Sequence, residues 1–343
     1  MISERRAPQA IPQDAPPARR RPAPGALRML GKHEFAILVV AILMLAAFSV
    51  TARNFFSVDN ILNITRQVSL WAIVGVGMTF LFIAGEFDIS VGSHFGFLVV
   101  VLGILAGTYH WNIWLTISII FAISLAIGLA NGLLTTKVGL PSFIVTLAGW
   151  VGLSSASLVV TGSWPPVMDN SSALFKQVTG GQVFGLVPWM TVWMVLIVAI
   201  GAFVLSKSRF GYQVYATGGN LQAARQAGIP TDRVKIACFV LTGGLVGIIA
   251  ILLVGWLGAA PLQTGVGFEL QVFAAVIIGG TALTGGRGAI FGTFIGAIIL
   301  GMIYSGLVLI GVQNAWQNLA LGLMIVVVAS IELLMRRRKL LRY

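Results

Sequence analysis

The sequence predicts an all-α integral membrane protein, a polytopic bundle of about ten transmembrane helices with both termini cytoplasmic. Three observations carry that expectation. The 343 residues are 57% hydrophobic with a mean hydropathy of +0.95, and only 9% are charged, too little polar surface for a soluble chain of this length. Apolar runs of about 20 residues, enough to span a hydrocarbon core of about 30 Å, recur along nearly the whole chain. Basic residues cluster outside the first and last runs: Arg5, Arg6, Arg19, Arg20, Arg21, Arg28 and Lys32 before, Arg336, Arg337, Arg338, Lys339 and Arg342 after. Two cytoplasmic ends explain that distribution by the positive-inside rule. The net charge of +12 therefore reflects orientation, and no nucleic-acid partner is expected. Alternating strands with polar lumen faces are absent, which disfavours a β-barrel.

Taken in order, the chain opens with a basic, proline-rich tail, 1–31, containing Pro8, Pro12, Pro16, Pro17, Pro22 and Pro24. It reads as disordered and is too long and proline-rich for a signal-peptide n-region, so the next run is an uncleaved first helix. The transmembrane domain occupies 32–335, with spans at roughly 34–52, 61–84, 88–108, 113–135, 142–162, 186–206, 232–256, 268–283, 289–311 and 316–335. A basic tail, 336–343, closes the chain. An even span count returns both ends to one side. Inside loops then hold Lys137, Lys207, Arg209, Arg225, Arg233, Lys235 and Arg287, whereas outside loops hold only Arg53, Arg66 and Lys176.

Two loops are long enough to have a task. The outside loop 163–185, "SWPPVMDNSSALFKQVTGGQVFG", combines turn residues with exposed aromatics. The inside loop 207–231 contains "LQAARQA", good helix formers between Gly218-Gly219-Asn220 and Gly228, Pro230. A short cytoplasmic helix is expected there, with a passive connector as the plain alternative.

Chemistry-bearing motifs are mostly absent. There is no P-loop, no His-Glu-x-x-His and no Gly-x-Ser-x-Gly; His33, His94 and His110 are scattered and Cys238 is the only cysteine. Disulfides within the chain and cysteine-rich metal sites are thereby excluded. An enzyme acting on lipid is disfavoured.

The unusual segment is "GEFDISVGS", 85–93, where Glu86 and Asp88 stand in an oily context. They are candidates for an ion-coupled secondary carrier, which needs ionisable groups at membrane depth. The topology instead puts them near the cytoplasmic edge or at a break between helices. Asp88 and Ser90 precede a helix whose first N–H groups lack partners, and their oxygens are suited to cap it. A second glycine-rich break, "GGTALTGGRG", holds Gly279, Gly280, Gly285, Gly286 and Arg287. Segments 80–105 and 274–300 share one pattern, apolar, glycine-rich polar, then Phe-Gly and apolar again, as an internal repeat would.

Five segments in order then carry a family resemblance: "GEFDISVGS" (85–93), "LPSFIVTLAG" (140–149), "YATGGNLQAARQAGI" (215–229), "AAVIIGGTALTGGRGAIFGT" (274–293) and "GVQNAWQN" (311–318). Over about 35–335 the chain resembles the membrane permease of ribose-type ABC importers, which carry monosaccharides and autoinducer-2 into bacteria. That family usually reads Gly-Ile-Asp-Leu-Ser-Val-Gly-Ser at the first anchor. Here Phe87 and Ile89 replace two letters while Asp88, Ser90, Gly92 and Ser93 keep theirs, and Glu86 is similar to the xylose-type branch.

The resemblance implies a subunit of the bacterial inner membrane with no cofactor of its own. ATP and Mg would be bound by a separate cytoplasmic ATPase, and a periplasmic or lipid-anchored sugar-binding protein would deliver substrate. A second permease chain, identical or related, would complete the pore within the membrane lipid. Gly218, Gly219, Asn220, Ala224, Arg225 and Gly228 would form the loop that touches the ATPase.

Overall fold

The computed structural model describes residues 32–162, 166, 172–313 and scattered positions between 316 and 330. The expected tails and most of the expected tenth span lie outside the described residues. Within them the chain is helical apart from one short strand pair, and seven helices are long and apolar enough to cross a membrane.

Helix α1 (Lys32–Thr51) leads through a turn into α2 (Val58–Ile83), whose N-cap Ser57 accepts from the Asn60 N–H. After a non-helical break, α3 (Val91–Leu102) continues through a π-helical turn, Gly103–Thr108. Asn112 caps α4 (Ile113–Leu133), accepting from Trp114 and Leu115, and α4 ends in a second π turn, Leu134–Val138. Helix α5 (Ser142–Thr161) follows Pro141, which is pre-set for a helix start. The segment expected as the outside loop contains regular structure among its described residues. It holds α6 (Ala173–Gly180) and a hairpin of β1 (Gln182–Val183) with β2 (Val187–Pro188), turning at Phe184 and Gly185 with positive φ.

Helix α7 (Trp189–Lys207) runs back to the opposite end. There the segment expected as the inside loop forms two helices, α8 (Arg209–Gly219) and α9 (Leu221–Gln226), where the sequence suggested one. The first is amphipathic: Gly211, Val214 and Thr217 are buried along one face, while Tyr212 is exposed. Helices α10 (Thr231–Leu257), α11 (Phe268–Ile278) and α12 (Ile290–Leu309) complete the described bundle. The expected span 268–283 is a half-helix. Its eleven residues reach about 16 Å at 1.5 Å each, about half of the roughly 30 Å of a hydrocarbon core.

The core is built on α2, whose most apolar window is 89% buried, with α3 and α10 at 67%. Helices α4 and α10 meet backbone to backbone: a Cβ on Gly128 would lie 2.6 Å from the Phe239 carbonyl, and one on Gly243 2.6 Å from that of Ser124. Small residues permit this approach, which supplies the van der Waals contact that lipid cannot. Helix α5 is the contrast, with only 17% of its window buried.

Candidate functional site: a junction of three glycine segments

The two breaks have one geometry. Helix α2 ends with Ala84 in the right-handed region and Gly85 at φ +82°; α11 ends with Gly279 right-handed and Gly280 at φ +82°. In the first, Gly85 N–H donates to Phe82 and Glu86 N–H to Leu81; in the second, Gly280 donates to Ile277 and Thr281 to Val276. Both are Schellman caps, in which a left-handed glycine lets two orphan carbonyls be satisfied. The repeat glimpsed in the sequence is thus a repeated helix ending. Helix α9 ends the same way, with Gly228 at φ +78° donating to Arg225 and Ile229 to Ala224.

The breaks and the inside loop converge. Gly286 N–H donates across to the Ile83 carbonyl at 2.9 Å. Gly218, near the end of α8, lies against that same carbonyl so closely that a Cβ would overlap it. A Cβ on Gly285 would stand 2.9 Å from the Gly218 oxygen and 3.2 Å from the Gly85 Cα, and one on Gly286 2.7 Å from the Gly219 Cα. Tyr215 of α8 donates its hydroxyl to the Gly288 carbonyl at 2.7 Å, and Phe210 stacks on Phe80 of α2 at 5.7 Å. Three segments singled out separately therefore form one backbone-to-backbone junction. Only hydrogen atoms fit between them.

Helix α9 hangs from this junction. Asn220 caps it, accepting from Ala223 N–H at 3.0 Å, and Ala224 is buried. Arg225 reaches Asp232 at 3.2 Å and Thr231 at 3.1 Å, tying α9 to the first turn of α10, while Lys137 from the π turn after α4 meets Asp232 at 3.3 Å. Arg287 is exposed, and its carbonyl accepts from Ala282 across the second break.

The two acids do different things. Glu86 pairs with Lys235 of α10 at 2.6 Å, with side chains only 12% and 15% exposed. Asp88 is buried and meets no cation among the described residues; it accepts from Ser90 N–H at 2.8 Å, Ser90 Oγ at 2.5 Å and Asn131 Nδ2 at 3.2 Å. The expectation that Ser90 caps α3 with its side chain is corrected: its hydroxyl turns back to Asp88 and caps nothing. Asp88 instead closes a local turn on Ser90 N–H, the route open to a short carboxylate two residues upstream. Thr146 of α5 accepts from Ile89 N–H, Asn131 of α4 also donates to Ser90 Oγ, and Ser93 Oγ donates to the Ser90 carbonyl. Phe87 packs edge-on against Phe143 and Phe273. Gly92 faces away from the junction, against Glu269 and the Gly265 carbonyl.

Lys235, Asn131, Thr146 and Tyr215 were missed as partners. Asn131 had a signal, a lone amide in an otherwise apolar span. Thr146 lay inside a quoted segment, 140–149, but which break it would touch is a tertiary fact. Among the described residues no group of three or more His, Cys, Asp or Glu could hold a metal.

Residues 60–329 match the family model described as branched-chain amino acid transport system / permease component. The chain is 35% identical over 308 residues to the probable ABC transporter permease protein YphD of Escherichia coli K12, covering 89% of this chain and 91% of that one. It is 33% identical to the ribose import permease protein RbsC of Haemophilus influenzae, covering 88% and 94%. It is 30% identical to the autoinducer 2 import system permease protein LsrC of Escherichia coli HS, covering 91% and 92%.

Proposed function

The chain belongs to the branched-chain amino acid transport system / permease component family, among its sugar ABC permeases, and from that membership we propose that it is the transmembrane permease subunit of an importer carrying a monosaccharide, ribose- or xylose-like, across the bacterial inner membrane. It is a transporter subunit and not an enzyme. A separate cytoplasmic ATPase binds ATP and Mg and supplies the energy, a periplasmic or lipid-anchored binding protein delivers the sugar, and a second permease chain completes the path. The sugar class rests on relatives named for ribose and autoinducer 2; the absence of a P-loop in this sequence is consistent with energy from a partner.

One observation carries the mechanism: α8 and α9 are fastened to the ends of both broken helix pairs through Gly218, Gly219, Gly85, Gly285 and Gly286. A partner that grips α9 and closes moves α8. With no compressible side chain in the junction, the motion passes to α2, α3, α11 and α12 as rigid-body displacement. In this reading the chain crosses the bilayer ten times with α8, α9 and both tails in the cytoplasm. The basic residues Lys137, Lys207, Arg209, Arg225, Arg233, Lys235 and Arg287 support that orientation and suit α9 to a partner groove with acidic positions.

The experiment is co-purification of the permease with its cognate ATPase, for the natural chain and for Arg225→Glu. Association lost in the variant, with insertion intact, supports the reading. Unchanged association and unchanged transport overturn this role for α9.

A further inference from the structure

Away from the junction, a cavity of about 240 Å³ opens between α3, α5 and the loop preceding α11. Its walls carry Trp150, Ser154 and Ser157 from α5 and Gln263, Thr264 and Gly265 from the loop. The loop is clamped to α3: a Cβ on Gly96 would overlap the Thr264 carbonyl, and one on Gly265, at φ +88°, the Gly92 carbonyl. Gln263 and Thr264 are thus held on a fixed platform facing α5. The platform precedes α11, whose length is about half that of a hydrocarbon core.

Three features do not fit a lipid-facing wall. Helix α5 is the least buried span, yet Ser154 and Ser155 on it are exposed; polar groups on a span face the bundle interior or water rather than acyl chains. The side chains of Ser154 and Gln263 make no hydrogen bond among the described residues, leaving a hydroxyl and an amide free at the cavity wall. Behind the wall, packed against Gly92 and Gly265, Glu269 is only 6% exposed; the Trp150 side chain donates to its carboxylate, while its Oε2 has no hydrogen-bond partner among the described residues. An aromatic face with neutral donors and acceptors around it is what a polyhydroxylated ring with one apolar face needs.

We propose that this cavity is a stopping place for a monosaccharide on its way through the membrane. Trp150 supports the sugar's C–H face, and Ser154, Ser157, Gln263 and Thr264 exchange hydrogen bonds with its hydroxyls. The proposal rests on the importer reading above. It adds where in the chain the solute is held.

Thiol chemistry on the assembled importer tests it. Cys238 is the only cysteine and is buried, so Ser154→Cys introduces one reachable thiol. In membrane vesicles, a charged methanethiosulfonate is expected to modify it, while the unsubstituted chain stays unmodified. D-ribose or D-xylose in excess is expected to slow modification about tenfold, with L-leucine without effect. No modification places Ser154 against lipid and overturns the proposal; modification that no sugar slows overturns it as a sugar site.

As a second arm, Ser154→Phe fills the cavity. Import is expected to fall about tenfold while ATP hydrolysis stimulated by the loaded binding protein continues. Unchanged import overturns the proposal. Sugar import by the unsubstituted importer separates the two readings: import without protection overturns the cavity alone, and no sugar import overturns both.

Discussion

The carbonyl oxygen of Ile83, at the end of one broken helix, accepts the backbone N–H of Gly286 from the other break at 2.9 Å. Gly218 of α8 lies over the same oxygen. One backbone atom thus holds three segments that lie far apart in sequence, and any side chain at Gly218 must displace one of them. Gly218→Ala is expected to destabilise the protein by about 1–3 kcal/mol, the usual cost of overpacking, and to lower ATP-coupled import. Gly219→Ala is the control, because no atom lies within 4 Å of a Cβ there, and a helical Gly→Ala change is favourable by up to about 1 kcal/mol. Thermal unfolding in detergent, with import by the assembled complex, checks both. Equal effects at the two positions would contradict the account.

The Glu86–Lys235 pair joins the first break to α10 where water is scarce. Removing one partner strands a charge, so Lys235→Met is expected to cost about 3–5 kcal/mol. The double substitution Glu86→Gln with Lys235→Met is expected to recover most of that loss, since no ion is left unpaired. A double-mutant cycle on unfolding provides the measurement. A double variant as unstable as the single one would show that the pair is not what holds α10 there.

Asp88 separates a structural break from an ion-coupling site. Asp88→Ala leaves Ser90 N–H and the Ser90 hydroxyl without their acceptor, and takes one of two acceptors from the Asn131 amide; it is expected to cost about 1–3 kcal/mol for each group left unsatisfied, read as reduced folded yield. Asp88→Asn keeps an acceptor for Ser90, and the Asn131 amide can turn its oxygen to the new donor. Folding and import are therefore expected to persist in Asp88→Asn. Normal folding with abolished import would instead mark Asp88 as an ion carrier.

Arg225 contacts Asp232 from the surface, with side chains 59% and 34% exposed, so the pair contributes at most about 1 kcal/mol. Arg225→Ala is accordingly expected to leave the unfolding temperature nearly unchanged. A large drop would make Arg225 a structural anchor, and loss of ATPase association in Arg225→Glu would then be secondary to misfolding.

Much of this was legible in the sequence, for reasons that differ by element. Membrane spans announce themselves by composition, so α2, α4, α5, α7, α10 and α12 fall within a few residues of their expected places. The glycines of the two breaks were visible as segments because a left-handed cap needs glycine locally. Their meeting was not legible, since a contact between Gly218 and Ile83 leaves no local pattern. Helix α11 was overestimated because an apolar run continues through Ile278 to Gly280, where only the Schellman turn ends the helix. Glu86 seemed anomalous for a similar reason: Lys235 was counted among the charges that orient the chain, and its pairing is a tertiary fact.

The central claim, that a partner ATPase drives this chain through α8 and α9, is tested most directly by uptake in proteoliposomes. With the cognate ATPase inside and the loaded binding protein outside, labelled D-ribose or D-xylose is expected to accumulate only when ATP is supplied, and Gly218→Ala is expected to reduce that accumulation. Uptake by the chain alone, driven by a proton or sodium gradient without ATPase, would contradict the account.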